Sequence, residues 1–442
     1  VNWQPEIDEI ARRRELAERM GGPEKVARQH AAGRSTVRER ITALADPGTF
    51  DEIGALAGTA SYVDGSLDSF VPANFVLGTA RLDGRRVALG GDDFTVRGGA
   101  ADAAIMEKQI YAERLANELG LPLVRLIEGT GGGGSDKMLE QYGFTYVPVN
   151  PGWDLVVDNL SAVPVVSLCL GPVAGLGAAR AVMSHLCVLV EGTGQLFVAG
   201  PPVVKHATGE DLTKEELGGA EVHRRSGAVD RIVASEAEAF AVTKQFLGYL
   251  PSSVDSLPPV VSTPDPTDRR DEALVSLVPR NRRHPYRLRP LLEGVFDSDS
   301  VFDYAVSGGS AYAGLARLAG HPVGVLATDP VPRSNADPRR RRRADAPGRF
   351  VRDVPPAVGV IDGPGGHADR SGSRASGRNP PRSPRGDGGV PGPGPDGGGD
   401  HPAGVRSGRS GPGESPPPGP PLGLALRRLG IAPGRGRHRG CI

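Results

Sequence analysis

Apolar positions along the chain follow a helical period, then a strand period, and finally no period at all. Residues 5–20 and 23–45 carry apolar side chains at helical spacing with charges on the outer face. Asp46-Pro47-Gly48 is a turn by composition. A β-hairpin follows at 75–89, with apolar arms on either side of Asp83-Gly84. After Phe94-Thr95-Val96 and Gly98-Gly99-Ala100, an amphipathic helix runs to Leu119 and ends at Gly120. Residues 121–127 and 163–170 read as buried strands. Each leads into a glycine-rich turn, 129–134 and 171–177, and then a helix, the second running through His185. Residues 187–190 and 196–198 are further strands, and 212–248 is helical throughout. The segment 251–266 is Pro/Ser-rich and reads as a linker, after which 285–330 restarts the pattern. Strand, glycine turn and helix in alternation predict an α/β fold with crossover connections.

The pattern contains a repeat. Residues 77–93 and 313–329 share seven of seventeen positions at an offset of 236, among them Gly78/Gly314, Arg81/Arg317, Gly84/Gly320 and Asp93/Asp329. A period this long implies duplicated domains. The first copy is followed by about 160 residues of patterned sequence. The second loses its pattern just after Pro330. Residues 331–442 hold 25 Gly, 20 Pro, 20 Arg and 9 Ala, with no Lys, one Glu and one Phe. Such a segment has too little apolar surface to offset its ordering entropy and is expected to be disordered. Two origins stand open. One is a basic tail, with 20 Arg against 9 acidic residues, although Arg without Lys or aromatics is a poor surface for nucleic acid. The other is a GC-rich gene read out of frame.

The division that results is 1–255 as a first domain, 256–330 as a linker with the start of a second, and 331–442 as the tail. The 52 basic and 52 acidic side chains cancel. Cys169, Cys187 and Cys441 are too widely spaced for a disulfide framework or a zinc site, which suits a cytoplasmic setting. The first residues are charged and carry no apolar leader, and the longest apolar stretch, 155–178, is too interrupted to span a bilayer. No nucleic-acid partner, membrane partner or metal site is expected.

Two successive glycine turns at strand ends can direct backbone N–H groups at an anion or a developing oxyanion. One such turn would read as close packing; two in succession, with Gly131 to Gly134 consecutive, favour function. A dinucleotide site at Gly171-x-x-x-Gly175-x-Gly177 competes, but the spacing from Gly177 to Glu191 is short of the usual ~20 residues. Lys137 comes three residues late for a phosphate-binding loop. No nucleophile elbow or His-Glu-x-x-His is present, and His185 reads as a packed or surface residue. A site rich in backbone donors and poor in acids suggests a base borrowed from substrate or cofactor.

At this point a family resemblance emerges. His30-Ala31-Ala32-Gly33-Arg34, Arg38-Glu39-Arg40-Ile41, Asp46 to Glu52, Asp93-Phe94-Thr95-Val96-x-Gly98-Gly99, Gly171-Pro172-Val173-Ala174-Gly175, Phe197 to Pro201, Thr208 to Asp211, Glu216 to Ala220 and Tyr249 to Ser252 stand in one order. Together they resemble the carboxyltransferase (β) subunits of biotin-dependent acyl-CoA carboxylases, the propionyl-, acetyl- and methylcrotonyl-CoA group. The resemblance implies a crotonase-like βα superhelix (the ClpP/crotonase fold) with two halves, the first complete and the second truncated here. It implies that Gly131 and Gly132 donate N–H groups to a thioester enolate, and that Gly98, Gly99, Gly133, Ala174 and Gly175 line the acyl-CoA cleft. It further implies carboxybiotin, brought by a biotin carboxyl carrier subunit and charged by a biotin carboxylase, as the carboxyl donor, with no covalently bound cofactor and the biotin anion taking the α-proton. A homo-oligomer is expected if the second half is intact. The first glycine turn departs from the family's Asp-Ser-Gly-Gly-Ala, reading Glu128-Gly129-Thr130-Gly131-Gly132. The second glycine pair is expected to have no counterpart beyond 330. Decarboxylation of a carboxylated acyl thioester or β-keto acid, and a non-catalytic CoA-binding subunit, remain as alternatives.

Overall fold

The computed structural model describes residues 2–100, 106–129, 140, 143, 152–281, 283–304, 311–331 and 357–361. All of these belong to one compact unit; the second unit, 366–420, lies outside the described residues. The first half carries β1 (Asp51–Ile53), β2 (Gly58–Val63), β3 (Ser66–Pro72), β4 (Phe75–Leu82), β5 (Arg85–Asp92), β6 (Leu123–Gly129), β7 (Val165–Ala174), β8 (Leu186–Val190), β9 (Gln195–Phe197) and β10 (Arg231–Val233). The second carries β11 (Phe302–Asp303), β12 (Ala311–Leu318), β13 (His321–Thr328) and β14 (Ala357–Ile361).

Among the described residues the main sheet runs β1-β4-β5-β6-β7-β8-β10, with β9 beside β7. β1, β4 and β5 are antiparallel; β5 through β10 are parallel. β6 is buried along its whole length, as expected of a parallel strand covered on both faces. One face meets the helices Val37–Leu44 and Glu236–Gly248, through Ile41, Leu44, Phe240 and Phe246 against Val124, Leu126 and Val166. The other meets the helix Met106–Leu119, through Leu115 and Ala116 against Ala88, Leu123 and Val165.

The sequence-based elements hold in outline, with several differences. The helix expected to run through His185 ends at Val182, and the β2–β3 hairpin and the helices Trp153–Ala162 and Pro201–Thr208 have no counterpart in the sequence reading. The single helix expected over 23–45 is two, Pro23–Ala31 and Val37–Leu44. Gly33 takes φ 71° between them, and Thr36 with Glu39 forms a capping box that starts the second. The helical stretch expected over 212–248 is broken at Gly227, and Arg231–Val233 adds a parallel strand against β8. β14 falls inside the segment expected to carry no element. Ala357-Val358-Gly359-Val360-Ile361 is an apolar run of strand length, hidden by its Pro- and Arg-rich flanks, and it pairs in parallel with β13 as β6 does with β5. The second half therefore extends past residue 330.

The duplication also reaches further back than the hairpin. The helices Val37–Leu44 and Leu288–Val295 lie 251 positions apart, and so do the pairs Arg38–Glu52 and Arg289–Asp303, at 2.8 and 3.0 Å. Asp46 accepts from the N–H groups of Asp83 and Gly84 at the first hairpin turn; Asp297 accepts from Ala319 and Gly320 at the second. Thr49 and Ser300 each accept from the N–H of the repeated arginine, Arg81 or Arg317. The change of offset from 251 to 236 coincides with the β2–β3 hairpin, residues 58–72, which stands off the main sheet in the first half only.

Asp297 is 3% exposed and holds two turn amides by charge-assisted bonds. Asp297→Ala is expected to cost about 1.5–3 kcal/mol in urea unfolding. Asp46→Ala, at the more open copy, should cost distinctly less. Equal losses would show that burial does not distinguish the two latches.

Candidate functional site

Neighbouring parallel strands β5, β6 and β7 end side by side, and their carboxyl ends are where open α/β sheets bind ligands. β5 leads through Asp92 and Asp93 into a tight turn, Arg97–Gly99, whose three residues take φ of 51°, 64° and 65°. Gly99 lies directly on the end of β6: a Cβ there would stand 2.6 Å from the Glu128 carbonyl oxygen. Gly129 is pressed reciprocally against Gly99, where a Cβ would be 2.7 Å from the Gly99 oxygen. On the other flank, Gly129 is in register with Val173 of β7, two residues before Gly175. Gly175 takes φ 63° and starts the helix Leu176–Val182.

Gly98, Gly99, Ala174 and Gly175 are thus gathered around Gly129; Gly131, Gly132 and Gly133 lie outside the described residues. Two of the gathered N–H groups are already committed, Gly99 to Val96 O and Gly175 to Phe197 O, both at 3.2 Å. These glycines shape the cleft by close approach. The dinucleotide reading of 171–177 fails because Gly171 sits within β7 instead of at a turn. A side chain there would overlap the Glu128 carboxyl group.

Glu128 is the residue that pattern reading missed. It has no exposure to solvent. Gln29 Nε2 donates to its Oε2 at 2.8 Å, and Arg40 Nη1 bonds the same oxygen. Arg34 Nε lies 3.2 Å from Oε1, at ion-pair distance but off the line of a hydrogen bond, so charge alone holds that oxygen. Arg40 also binds Glu236, at 2.7 Å, and donates to Leu170 O. Burial opposes the Arg40 charge, but Glu128 and Glu236 outweigh it and hold its pKa above the ordinary value. A signal was present in the sequence: one acid at the end of a largely apolar strand, and two arginines, Arg34 and Arg40, close together upstream to meet it. Nothing in periodicity joins residues 88 positions apart.

Asp92 accepts from the Glu128 N–H at 3.2 Å and lies 3.5 Å from Arg180. Asp93 accepts from Thr95 N and Oγ1. Burial pushes both carboxyl groups above the usual aspartate range. Behind the site, Arg125 and Glu113 form a buried bidentate pair. His185 accepts from Val165 N–H at Nδ1 and donates from Nε2 to Leu160 O, a packed role away from chemistry. In the second half a cavity of about 550 Å³ opens beside Arg289, Asp303 and Asp329, the counterparts of Arg38, Glu52 and Asp93. In the first half the Gly21 N–H reaches the adjacent Thr95 Oγ1. Among the described residues no cluster fit to hold a metal ion occurs, and no helix is long and apolar enough to cross a membrane.

Comparison with known proteins matches residues 28–365 to the Carboxyl transferase domain. The chain is 31% identical to the propionyl-CoA carboxylase carboxyltransferase subunit of Haloferax mediterranei, over 83% of this chain and 71% of that one. It is 33% identical to the biotin-dependent long chain acyl-coenzyme A carboxylase beta4 subunit of Mycobacterium tuberculosis, over 81% and 68%. It is 30% identical to the methylmalonyl-CoA decarboxylase subunit alpha of Veillonella parvula, over 78% and 68%. Among solved structures, transcarboxylase 12S, a hexamer crystallised with methylmalonyl-coenzyme A, is similar at a TM-score of 0.70 and 25% identity, over 83% of this chain and 72% of that one.

Two expectations follow from the geometry. Among the described residues Gly98→Ala meets only Phe94, at 3.9 Å, so left-handed backbone strain should cost it about 1–2 kcal/mol. Gly99→Ala adds the clash with β6 and should lose roughly 2–5 kcal/mol in thermal unfolding; equal losses would refute the tight Gly99–β6 contact. The second concerns pH. A raised native pKa at Asp92 means the folded state binds the proton more tightly, so this group's contribution to stability falls as pH rises from about 4 through the raised value. Asp92→Asn should flatten the stability–pH curve above pH 4, and an unchanged slope would count against this assignment.

Proposed function

Because the chain belongs to the Carboxyl transferase domain family, we propose that it moves a carboxyl group between carboxybiotin and the α-carbon of a short acyl-CoA. The observation that carries this reading is the meeting of Gly99, Gly129 and the Gly171–Gly175 segment at the ends of three adjacent strands, with the run Gly131–Gly134 next but one in sequence. Backbone faces approach so closely there that only glycine fits, which fixes how β5 and β6 end beside the cleft that this reading assigns to the acyl thioester. In this reading Gly131 and Gly132 donate N–H groups to the thioester oxygen, stabilising the charge that develops when the α-proton leaves. Gly98, Gly99, Gly133, Ala174 and Gly175 wall the acyl-CoA. The chain's acids at the site, Asp92, Asp93 and Glu128, are each bonded within the protein, which fits a reaction whose base comes with the carboxyl donor. Carboxybiotin supplies the carboxyl group, as substrate, from a carrier subunit charged by a biotin carboxylase. We assign the protein to a crotonase-like fold, a cytoplasmic setting and a homo-oligomer.

The Veillonella relative favours a second reading, decarboxylation of a carboxylated acyl-CoA. Malonyl-CoA and methylmalonyl-CoA, each with and without free biotin, separate the two. Loss of the substrate's carboxyl group only when biotin is present supports transfer; loss without biotin supports decarboxylation; neither overturns both. Gly132→Pro deletes one proposed donor and should lower turnover about 10²–10³-fold.

A further inference from the structure

Three parts of the candidate site meet one residue that no step of the proposed reaction uses. The Glu128 carboxylate is bound from the amino-terminal segment by Gln29, Arg34 and Arg40. Its N–H is held by Asp92 at the end of β5. Its carbonyl oxygen is the floor beneath Gly99, and its side chain fills the place a Cβ would take at Gly171 of β7. One residue later the chain reaches Gly129, and after Thr130 the glycine run begins.

We propose that Glu128 is a positioning residue, whose locked carboxylate sets the point and angle at which the backbone leaves β6 for the glycine run. The inference rests on the functional reading above and deepens it. Four contacts on three sides of one residue leave β6 little freedom to slide or rotate at its end. A displacement of about 1 Å of groups that orient a reacting substrate can cost 10²-fold in rate. Glu128 touches no substrate; it acts through Gly129. The arginine-rich amino-terminal segment then has a task beyond packing, because Arg34 and Arg40 hold the carboxylate that holds the turn. Gly171 is glycine for the same reason, to make room for that carboxylate.

The test is a double-variant cycle in the full chain, assayed with malonyl-CoA and free biotin. Glu128→Asp shortens the anchor by one methylene; Gly171→Ala pushes against it. Each alone is expected to lower kcat at least ~10-fold, while KM for malonyl-CoA changes less than ~3-fold. Both changes disturb the same carboxylate, since a Cβ at position 171 would stand 2.5 Å from Glu128 Cγ, so the double variant should lose no more kcat than the worse single variant. Arg34→Lys sits at the more exposed end of the network and should shift kcat in the same direction, giving a readout if Gly171→Ala does not fold. Wild-type kcat in Glu128→Asp, or losses that add in the double variant, would overturn the inference alone. A wild-type chain that turns over nothing overturns the functional reading and the inference with it.

Discussion

A carboxylate with no contact with water is the constraint around which the first half is built. Removing such a charge from solvent costs several kcal/mol, and only close partners offset it. Glu128 finds them on helices that precede it by about ninety residues, so β6 and the segment 29–40 must be brought together for either to be stable. Arg40 carries the same demand onward to Glu236 at the start of the helix Glu236–Gly248. Three elements far apart in sequence are tied at one point beneath the strand ends. The glycine turns are arranged on top of that tie.

Much of the fold was legible because it rests on local pattern. Strands β5 to β8 are apolar runs bounded by glycine, and periodicity finds those directly. β10 was not legible, because Arg231-Ile232-Val233 is too short to stand out between two charged helices. β14 was obscured differently, by flanks whose composition suggested that no element would follow. In sequence, Asp362-Gly363-Pro364-Gly365-Gly366 follows β14 much as a glycine-rich run follows β6; these residues lie outside the described ones.

The site was half legible. Glycines at strand ends announce close backbone approach, and Gly98, Gly99, Ala174 and Gly175 do meet around Gly129. The sequence could not say which glycines face a ligand and which face the protein. Gly171 looked like part of a ligand-binding fingerprint and instead accommodates Glu128; the amide of Gly175 looked available and is bonded to a carbonyl. Burial partners of this kind are long-range facts. The repeat shows the same limit, since the identities at 77–93 were visible while the matching latches at Asp46 and Asp297 emerge only as hydrogen bonds.

The core beneath the first sheet is not completed by the first half. Phe302 and Leu315 belong to it, and Phe302 meets Phe246 at a ring distance of 5.9 Å. A ribosome that has finished the helix Glu236–Gly248 must still add residues through 315 before this core can close, roughly 3–13 s at ordinary elongation rates. During that interval the apolar face of that helix is unfinished and open to wrong partners. Folding of the first half during synthesis thus waits on the second, and the length of chain from the end of that helix to Leu315 sets how long the nascent chain must stay out of trouble.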